Sequence, residues 1–309
     1  MPEGDTVYRQ CAVLHDALAG SQLDRAELRV PRHATENLSG WRVEEVVPRG
    51  KHLLIRLSSP MAASEHTPRL LTLHSHLMMD GTWWVERGGR LVRPRDEGRE
   101  DARAKAPHTI RILLEATRPD GETVRALGLD VQQVRLVPTA EEASLIGHLG
   151  PDLLDPDWGP ELAAQAARAL QQAGTRAVGF ALLDQRILAG IGNVYRSEIC
   201  FLEGIHPLAP VNALPDPAHT VDLAHRLLRA NRDRYRRITT GGAMGRDGDL
   251  WVYARVGRPC RRCGSRIVRE YIIDPAAPDQ GERSVYTCPR CQPRPPGAPP
   301  VVRRWDRAD

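Results

Sequence analysis

The chain has 309 residues, enough for two or three domains, and a formal net charge of +4. It has no run of 18 or more apolar residues, which excludes a transmembrane helix, and no N-terminal segment resembling a secretory signal. We therefore expect a cytoplasmic protein. Residues 231–270 carry 11 Arg against three Asp and one Glu. Such a basic segment favours an anionic partner, most simply nucleic acid, although a solvated basic surface is the alternative.

The first predicted element is an amphipathic helix close to the N-terminus. Its apolar positions recur with helical spacing at Val7, Cys11, Leu14 and Leu18. Asp5 or Thr6 is the expected N-cap, because short polar side chains accept hydrogen bonds from the first free amides of a helix. Pro2 and Glu3 are then expected just outside the start of a packed helix.

Short β-rich segments follow beyond Gly20 and alternate with turn residues, a pattern typical of a sandwich or barrel. They read LDRAELRV, RVEEVV, HLLIRL, LLTLHSHL, TWWVE, TIRILLEA and VQQVRLV. From about Pro151 the pattern is helical, with segments ELAAQAARALQQ, AVGFALLD and NVYRSEICFLEG and a further helix predicted over 220–238. The Pro-rich residues 293–309 have no apolar period, so we expect them to be disordered.

Four of the six cysteines form two CxxC pairs. The pairs, CRRC and CPRC, comprise Cys260, Cys263, Cys288 and Cys291. In a reducing compartment they predict one structural zinc ion held by four thiolates, and two redox-active disulfides are the less favoured alternative. The metal would supply the folding free energy of a segment too small to bury its own core. Cys11 and Cys200 lie on apolar helix faces, which favours places in the core.

Seven motifs occur along the chain in one order. They are MPEG, RGKHLLIRL, HSHLMMDGTW, LGPDLL, LLDQRILAGIGNVYRSE, VYARVGRPCRRC and RSVYTCPRC. Together they resemble the formamidopyrimidine-DNA glycosylase/endonuclease VIII family of base-excision repair enzymes, over residues 1 to about 292. Each motif alone is only moderately specific, whereas the ordered set is highly specific.

The resemblance implies a multi-domain α+β fold. We expect an N-terminal catalytic domain, a two-sheet β-sandwich, over 1–137 and a linker over 138–150. A helix–two-turn–helix DNA-binding domain is expected over 151–254, followed by a C-terminal four-cysteine zinc finger over 255–292. The disordered tail would then occupy 293–309.

The resemblance also assigns the reacting groups at the N-terminus. Members of the family remove damaged bases through a Schiff base between the N-terminal proline and C1′ of the nucleotide, which here would be Pro2 after loss of Met1. An α-amine titrates near pH 8, against about 10.4 for lysine, so more of it is neutral at pH 7. Glu3 maps onto the general acid/base that protonates the deoxyribose ring oxygen. An ordinary Met-Pro start is the alternative, which the other motifs disfavour.

Three further residues take DNA-contacting or catalytic roles through the resemblance. Lys51 matches the lysine that contacts the phosphate and ring oxygen and acts as an acid in β-elimination, although any lysine in a strand turn looks similar. Asn193, at a predicted helix start, matches a phosphate ligand, and a simple N-cap role is compatible with this. Arg283 matches the arginine of the zinc-finger hairpin that clamps phosphates and assists δ-elimination.

Extrusion of a base from the helix leaves a hole that a protein side chain fills. Met78 and Met79 lie at a predicted turn between strands, and Met79 matches the wedge position of the family; burial in the core is the alternative. His148, just before LGPD, falls where relatives carry a basic DNA contact.

Two departures from the family pattern concern specificity and acid/base chemistry. Relatives read Pro-Glu after PEG, whereas this chain has Asp5 and Thr6, so Asp5 either substitutes for a second carboxylate or only caps the helix. The purine-directed branch carries an Arg-Phe pair that fills the hole and contacts the opposite cytosine. The corresponding region here, GETVRALGLDVQQV, contains no Phe, and Arg125 is the partial substitute that it offers.

We therefore interpret the chain as a DNA glycosylase and AP lyase with β,δ-elimination, of the endonuclease VIII-like branch, acting on oxidised pyrimidines in damaged DNA. The alternatives are an 8-oxoguanine/formamidopyrimidine glycosylase of the same family and a non-catalytic, zinc-dependent lesion-binding protein. We expect one structural Zn²⁺, no small-molecule cofactor, no membrane association, a monomeric state and a nucleoid-associated place in the cytoplasm.

Overall fold

A computed structural model of the chain describes residues 2–60, 69–92, 107–242 and 248–298. The expectations for Met1 and for residues 299–309 of the tail lie outside the described residues. The chain divides into two compact units, described here one at a time. The first comprises residues 1–148 and 232–235, and the second comprises residues 149–231 and 236–309.

The first unit begins with helix α1 (Gly4–Leu18) and ends with the short helix α2 (Ala143–Ile146). Nine strands lie between them: β1 (Gln22–Leu28), β2 (Arg42–Arg49), β3 (His52–Ser58), β4 (Leu70–His76), β5 (Thr82–Arg87), β6 (Arg90–Leu91), β7 (Ile110–Thr117), β8 (Thr123–Leu129) and β9 (Gln133–Pro138). All the strand pairs are antiparallel, in the order β6-β5-β8-β7-β1-β2-β3-β4-β9.

The nine strands form two layers, because β1 and β2 are joined only at one end. Their register contains the single pair Gln22–Arg42, whereas β1 pairs with β7 along most of its length. Both halves contribute to one core, which includes Leu23, Leu28, Ile112 and Leu114 from one half and Val43, Leu53, Ile55 and Leu73 from the other. The predicted two-sheet β-sandwich is thereby confirmed.

Helix α1 buries the predicted apolar face, since Val7, Cys11, Leu14 and Leu18 all belong to the core of the first unit. The predicted N-cap is wrong. The helix begins at Gly4 because extended Glu3 is the N-cap and its carbonyl accepts the Val7 amide at 3.0 Å. Asp5 lies inside the first turn, where its carboxylate accepts the adjacent Thr6 amide at 2.8 Å.

The second unit combines helices with a β-hairpin. Its elements are α3 (Pro160–Gln172), α4 (Val178–Ala181), α5 (Asn193–Leu202), α6 (Pro217–Asn231), β10 (Val268–Ile272) and β11 (Arg283–Thr287). The hairpin register runs from Val268 opposite Thr287 to Ile272 opposite Arg283. Phe201 of α5 shares a core cluster with Ile267, Tyr286 and Cys288, so helix and hairpin form one unit. Among the described residues, no helix is long and apolar enough to cross a membrane.

Two helices of the second unit are shorter than the sequence pattern predicts. Helix α6 ends at Asn231, because the Asn231 side chain takes over the hydrogen bonds that a further turn would make. Its Nδ2 donates to the carbonyls of Leu227 and Ile238 at 2.8 and 2.9 Å, and its Oδ1 accepts the Ile238 amide at 2.7 Å. The segment AVGFALLD contains only the four-residue α4, whose end is closed where the Asp184 amide bonds to the Phe180 carbonyl.

Candidate functional site

Pro2 and Glu3 lie at the N-terminus of helix α1, which packs on the core of the first unit. Pro2 is half-buried, and Glu3 is fully buried, with an exposed fraction of 0%. Asp5, inside the first turn of the helix, is also buried, with an exposed fraction of 2%. The first unit therefore holds two carboxylates and a proline at one helix N-terminus, where backbone amides give a partial positive charge.

Lys51 lies in the tight turn between β2 and β3. Gly50 has a positive φ of 56°, a conformation that favours glycine and lets the chain reverse within two residues. Lys51 is half-buried and directly precedes His52, the first residue of β3. In the antiparallel register His52 is opposite His76, the last residue of β4. Lys51 is thus placed at a strand end that is rich in imidazole rings.

Four histidines, which we call the histidine cluster, gather at this strand end: His52, His74, His76 and His148. His52 Nδ1 and His74 Nε2 are 2.8 Å apart, and their rings stack with centroids separated by 5.0 Å. His76 and His148 meet the His52 ring edge-on, at centroid distances of 5.1 and 6.0 Å. Sequence reasoning named only His148; the other three were missed because their proximity follows from the β3–β4 register.

The three strand histidines of this cluster are neutral at pH 7. Burial lowers the pKa of His52 to about 3, with repulsion from His74, His76, His148 and Lys51 adding to the effect. Burial likewise lowers the pKa of His74 to about 4, with a smaller contribution from repulsion by His76. It also lowers the pKa of His76 to about 4, with a smaller contribution from Lys51. His76 Nδ1 also accepts the Met78 amide at 3.0 Å, as only an unprotonated ring nitrogen does.

Met78 and Met79 project from the turn between β4 and β5. Their exposed fractions are 37% and 53%, so the alternative of burial in the core is wrong. Leu77, directly before them, is fully buried in the core and anchors the turn. Met78 has a positive φ of 53°, a strained conformation for a residue with a side chain. The turn therefore holds two large apolar side chains out in solvent.

In the second unit, Asn193 is the first residue of α5 and follows the N-cap Gly192. The turn before it depends on Gly190, whose φ of 109° disfavours residues with a Cβ. Gln185 braces this turn: its Oε1 accepts the Gly190 amide and its Nε2 donates to the Ile191 carbonyl, both at 3.0 Å. Gln185 lies within the motif LLDQRILAGIGN, but the motif alone gave it no role.

Arg283 is exposed at the start of β11, and its neighbour Ser284 connects the hairpin to α5. The Asn193 Nδ2 group donates to Ser284 Oγ at 3.1 Å. Arg196, one turn along α5, donates to Asn193 Oδ1 and to the Ser284 carbonyl. The structure thus brings Asn193 together with the segment that carries Arg283, and Arg196 is a participant that sequence reasoning missed.

The four predicted cysteine ligands converge. Their sulfur atoms lie within 4.8 Å of one another, with Cys260–Cys291 at 3.9 Å and Cys263–Cys288 at 3.4 Å. A tetrahedral site with metal–sulfur bonds of about 2.3 Å places its sulfurs about 3.8 Å apart. The backbone amide of Arg262 donates to the Cys260 sulfur, and the backbone amide of Cys291 donates to the Cys288 sulfur. The cluster could hold one metal ion.

Two parts of the chain match described protein domains. Residues 1–128 match the formamidopyrimidine-DNA glycosylase N-terminal domain, and residues 149–229 match the formamidopyrimidine-DNA glycosylase H2TH domain. The chain belongs to the formamidopyrimidine-DNA glycosylase/endonuclease VIII family. The resemblance inferred from the ordered motifs is thereby confirmed.

Relatives within this family are similar over almost the whole chain. A probable endonuclease 8 2 from Streptomyces coelicolor is 47% identical, over 96% of this chain and 97% of its own length. A DNA-(apurinic or apyrimidinic site) lyase Nei2 from Mycolicibacterium smegmatis is 43% identical, over 94% of this chain and 99% of its own length. The crystal structure of Lactococcus lactis Fpg with abasic-site DNA has the same fold, with a TM-score of 0.68 at 21% identity over 95% of this chain and 100% of that chain.

Proposed function

We propose that this chain is a DNA glycosylase and AP lyase of base-excision repair. One observation carries the proposal: Pro2 and buried Glu3 lie at the start of a packed helix, in a chain that aligns over nearly its full length with a relative named as an AP lyase. A protein that only bound lesions would have no need of this pair. Damaged DNA is the proposed substrate, in keeping with the basic segment 231–270.

The proposed reaction uses Pro2 as the nucleophile once Met1 has been removed. Its nitrogen bonds to C1′ of the damaged nucleotide while the bond from C1′ to the base breaks, and the base leaves with a proton. Glu3 protonates the ring oxygen, so the sugar opens and an iminium forms between the nitrogen and C1′. A secondary amine gives an iminium that keeps its positive charge, which acidifies the C2′ hydrogen.

Strand cleavage follows from that charge. Loss of a C2′ proton expels the 3′ phosphate in β-elimination, and a further proton loss expels the 5′ phosphate in δ-elimination. We assign Lys51 to the first step and Arg283 to the second, with water finally hydrolysing the iminium to release Pro2. Asn193 would bind a phosphate oxygen at the start of α5, where backbone amides favour anions.

We propose that the four cysteines hold one structural zinc ion. The all-sulfur set and the 3.4 and 3.9 Å separations fit tetrahedral Zn²⁺, and four thiolates leave no open position for a substrate. The ion would stabilise the hairpin that carries Arg283. Gln292 also fixes the cysteine segment within the second unit. Its side chain accepts the Cys288 amide at 3.0 Å and donates to the Ile205 carbonyl at 2.9 Å.

We propose oxidised pyrimidines as the lesions. The two phenylalanines, Phe180 and Phe201, are buried in the second unit, so neither serves as the aromatic partner of a purine-directed loop. Arg125, the partial substitute, lies within β8 and pairs with Glu115 and Glu86 at 3.2 and 3.7 Å. Oxidised pyrimidines stack weakly and flip out cheaply, so the exposed Met78 and Met79 would suffice as a wedge.

We propose the boundaries 1–137, 138–150, 151–254 and 255–292 for sandwich, linker, helical domain and zinc finger. We propose that the protein works as a monomer without a small-molecule cofactor, at DNA in the cytoplasm. His148 would contribute a DNA contact at the edge of the histidine cluster.

Single-turnover excision on matched duplexes tests the proposed function. The duplexes differ only in one lesion: dihydrouracil, thymine glycol, 8-oxoguanine opposite cytosine, or a preformed abasic site. We expect rapid cleavage at the abasic site and at both pyrimidines, and slow cleavage at 8-oxoguanine. Equal rates for 8-oxoguanine and dihydrouracil would overturn the pyrimidine assignment, and binding without any cleavage would favour the lesion-binding alternative.

A further inference from the structure

Arg196 is a fully buried arginine in the middle of α5. Its exposed fraction is 0%, and it is the largest of the fully buried side chains in the described part of the chain. Arginine is rarely buried, because removing a guanidinium from water costs several kcal/mol unless hydrogen bonds replace the lost hydration. A residue kept in such a place therefore has specific partners, and these partners indicate its role.

Arg196 donates hydrogen bonds to two different elements. Its NH2 group donates to Asn193 Oδ1, on the same helix, and to the Ser284 carbonyl of β11. Asn193 Nδ2 in turn donates to Ser284 Oγ at 3.1 Å. Arg196, Asn193 and Ser284 thus form a closed triangle of hydrogen bonds, and 91 residues separate Asn193 from Ser284 along the chain.

A guanidinium fixes the orientation of the Asn193 amide. Arg196 has five N–H donors and no acceptor, so the atom of Asn193 that faces it is the carbonyl oxygen. The NH2 group of Asn193 is then turned towards Ser284, and it carries two hydrogens of which Ser284 Oγ needs only one. The Ser284 carbonyl is fixed by the same guanidinium, and Ser284 directly follows the exposed Arg283.

We propose that Arg196 is a positioning residue that holds Asn193 and the Arg283 hairpin in one register for binding a phosphate. This inference rests on the proposed function, because it is the damaged DNA strand that would supply the phosphate. Arg196 acts through its neighbours and makes no contact with DNA itself. The proposed zinc site would stabilise the end of β11 next to Cys288, and Arg196 stabilises the other end.

A double-mutant cycle separates positioning from direct contact. The measurement is the Kd for a duplex carrying a tetrahydrofuran abasic analogue, for wild type, Arg196→Met, Asn193→Ala and the double variant. Each single substitution should weaken binding about tenfold, and the loss in the double variant should fall well short of the hundredfold product, because both side chains act through one arrangement. Losses that multiply to about a hundredfold would mean independent contacts and would overturn the proposal.

Two controls isolate the geometry from the charge. Arg226→Met removes an exposed charge from α6 that pairs with Asp222 at 2.8 Å, and it should change Kd by less than about twofold. Arg196→Lys keeps the buried charge but lacks the planar fork of donors, so it should bind several-fold more weakly than wild type. Wild-type affinity in Arg196→Lys would show that charge alone suffices, which contradicts positioning.

Two further readouts do not depend on cleavage by the enzyme. Ser284→Ala removes only the hydroxyl, should keep zinc and thermal stability, and should still weaken binding several-fold. Amide hydrogen exchange of residues 283–287 without DNA should be faster in Arg196→Met, and unchanged exchange would overturn the proposal. Wild-type protein that binds but does not cleave abasic DNA would refute the proposed function while leaving the cycle interpretable.

Discussion

At the scale of single residues, the exposed turn after β4 holds two methionines out of the core, with exposed fractions of 37% and 53%. The first of them, Met78, has a positive φ, which is a strained conformation for a residue with a side chain. Residues held in such conformations cost about 1–3 kcal/mol and occur mainly at functional sites. The sequence located these two residues correctly because the turn is local, defined by buried Leu77 and Gly81 on either side.

We expect Met79→Ala to lower excision of a base from duplex DNA about tenfold, because the extruded base would leave an unfilled hole. Cleavage at a preformed abasic site in single-stranded DNA should stay within about twofold of wild type, and the free energy of unfolding should change by less than about 0.5 kcal/mol. Leu70→Ala, at a residue 50% exposed at the start of β4, is the control. An equal loss in both variants would refute a specific wedge.

The buried His74 predicts a pH dependence of the stability of the first unit. The pKa of His74 is lowered by burial from 6.5 to about 4, so the folded protein binds fewer protons than the unfolded chain between these values. The contribution of His74 to the free energy of unfolding is therefore largest above pH 6.5 and is lost as the pH drops towards 4. The loss is about 2 kcal/mol by pH 5 and about 3 kcal/mol in all.

We expect His74→Asn to remove part of this dependence. The wild-type Tm should fall by several degrees between pH 7 and pH 5. That of His74→Asn should fall less but not stay constant, because burial still lowers the pKa of His52 and His76, with repulsion from His148 and Lys51 adding to the effect. The control is His108→Asn, at an exposed histidine, which should behave as wild type. Identical pH dependence in all three proteins would contradict the neutral state of the strand histidines.

At the scale of elements, sequence periodicity was accurate wherever a local pattern decides the structure. Helix α1 and strands β3 and β4 follow their apolar patterns, because each buries one face on a shared core. The pattern failed where one side chain replaces backbone hydrogen bonds, as Asn231 does at the end of α6. It also failed at the start of α1. Asp and Thr are common N-caps, but the hydrogen bond from the Val7 amide to the Glu3 carbonyl makes Glu3 the N-cap, and Asp5 lies inside the first turn.

Contacts between distant parts of the chain could not be predicted from spacing. The histidine cluster needs the β3–β4 register, and the link between Arg196 and Ser284 joins residues 88 positions apart. The cysteine cluster is the exception, because the spacing of two CxxC pairs is by itself enough to define a ligand set.

We expect the hairpin of the second unit to depend on the proposed zinc ion. Cys288→Ser should abolish zinc binding and weaken binding to abasic-analogue DNA at least about tenfold, because Arg283 would lose its fixed position. The first unit should stay folded, with unchanged hydrogen exchange in β3 and β7. Cys200→Ser, at a buried thiol outside the cluster, should keep its zinc. Full DNA affinity in a verified metal-free protein would contradict this dependence.

At the scale of the whole molecule, the features that define the family are spread along nearly the full length of the chain. Relatives align over nearly the full length, and the seven motifs occur in order along both compact units. The motifs made the family predictable from the sequence. The proposed lesion preference rests on the segment GETVRALGLDVQQV, which contains no Phe, and on Arg125 of β8, whose two carboxylate partners come together only in the folded sheet.

The central claim is that the α-amine of Pro2 forms the covalent bond to DNA. Borohydride reduction during turnover of a lesion-bearing duplex, followed by proteolysis and mass spectrometry of the trapped adduct, tests it most directly. We expect the DNA to be attached to residue 2, in a chain that lacks Met1. An adduct on Lys51, or full activity in a chain that retains Met1, would contradict the account.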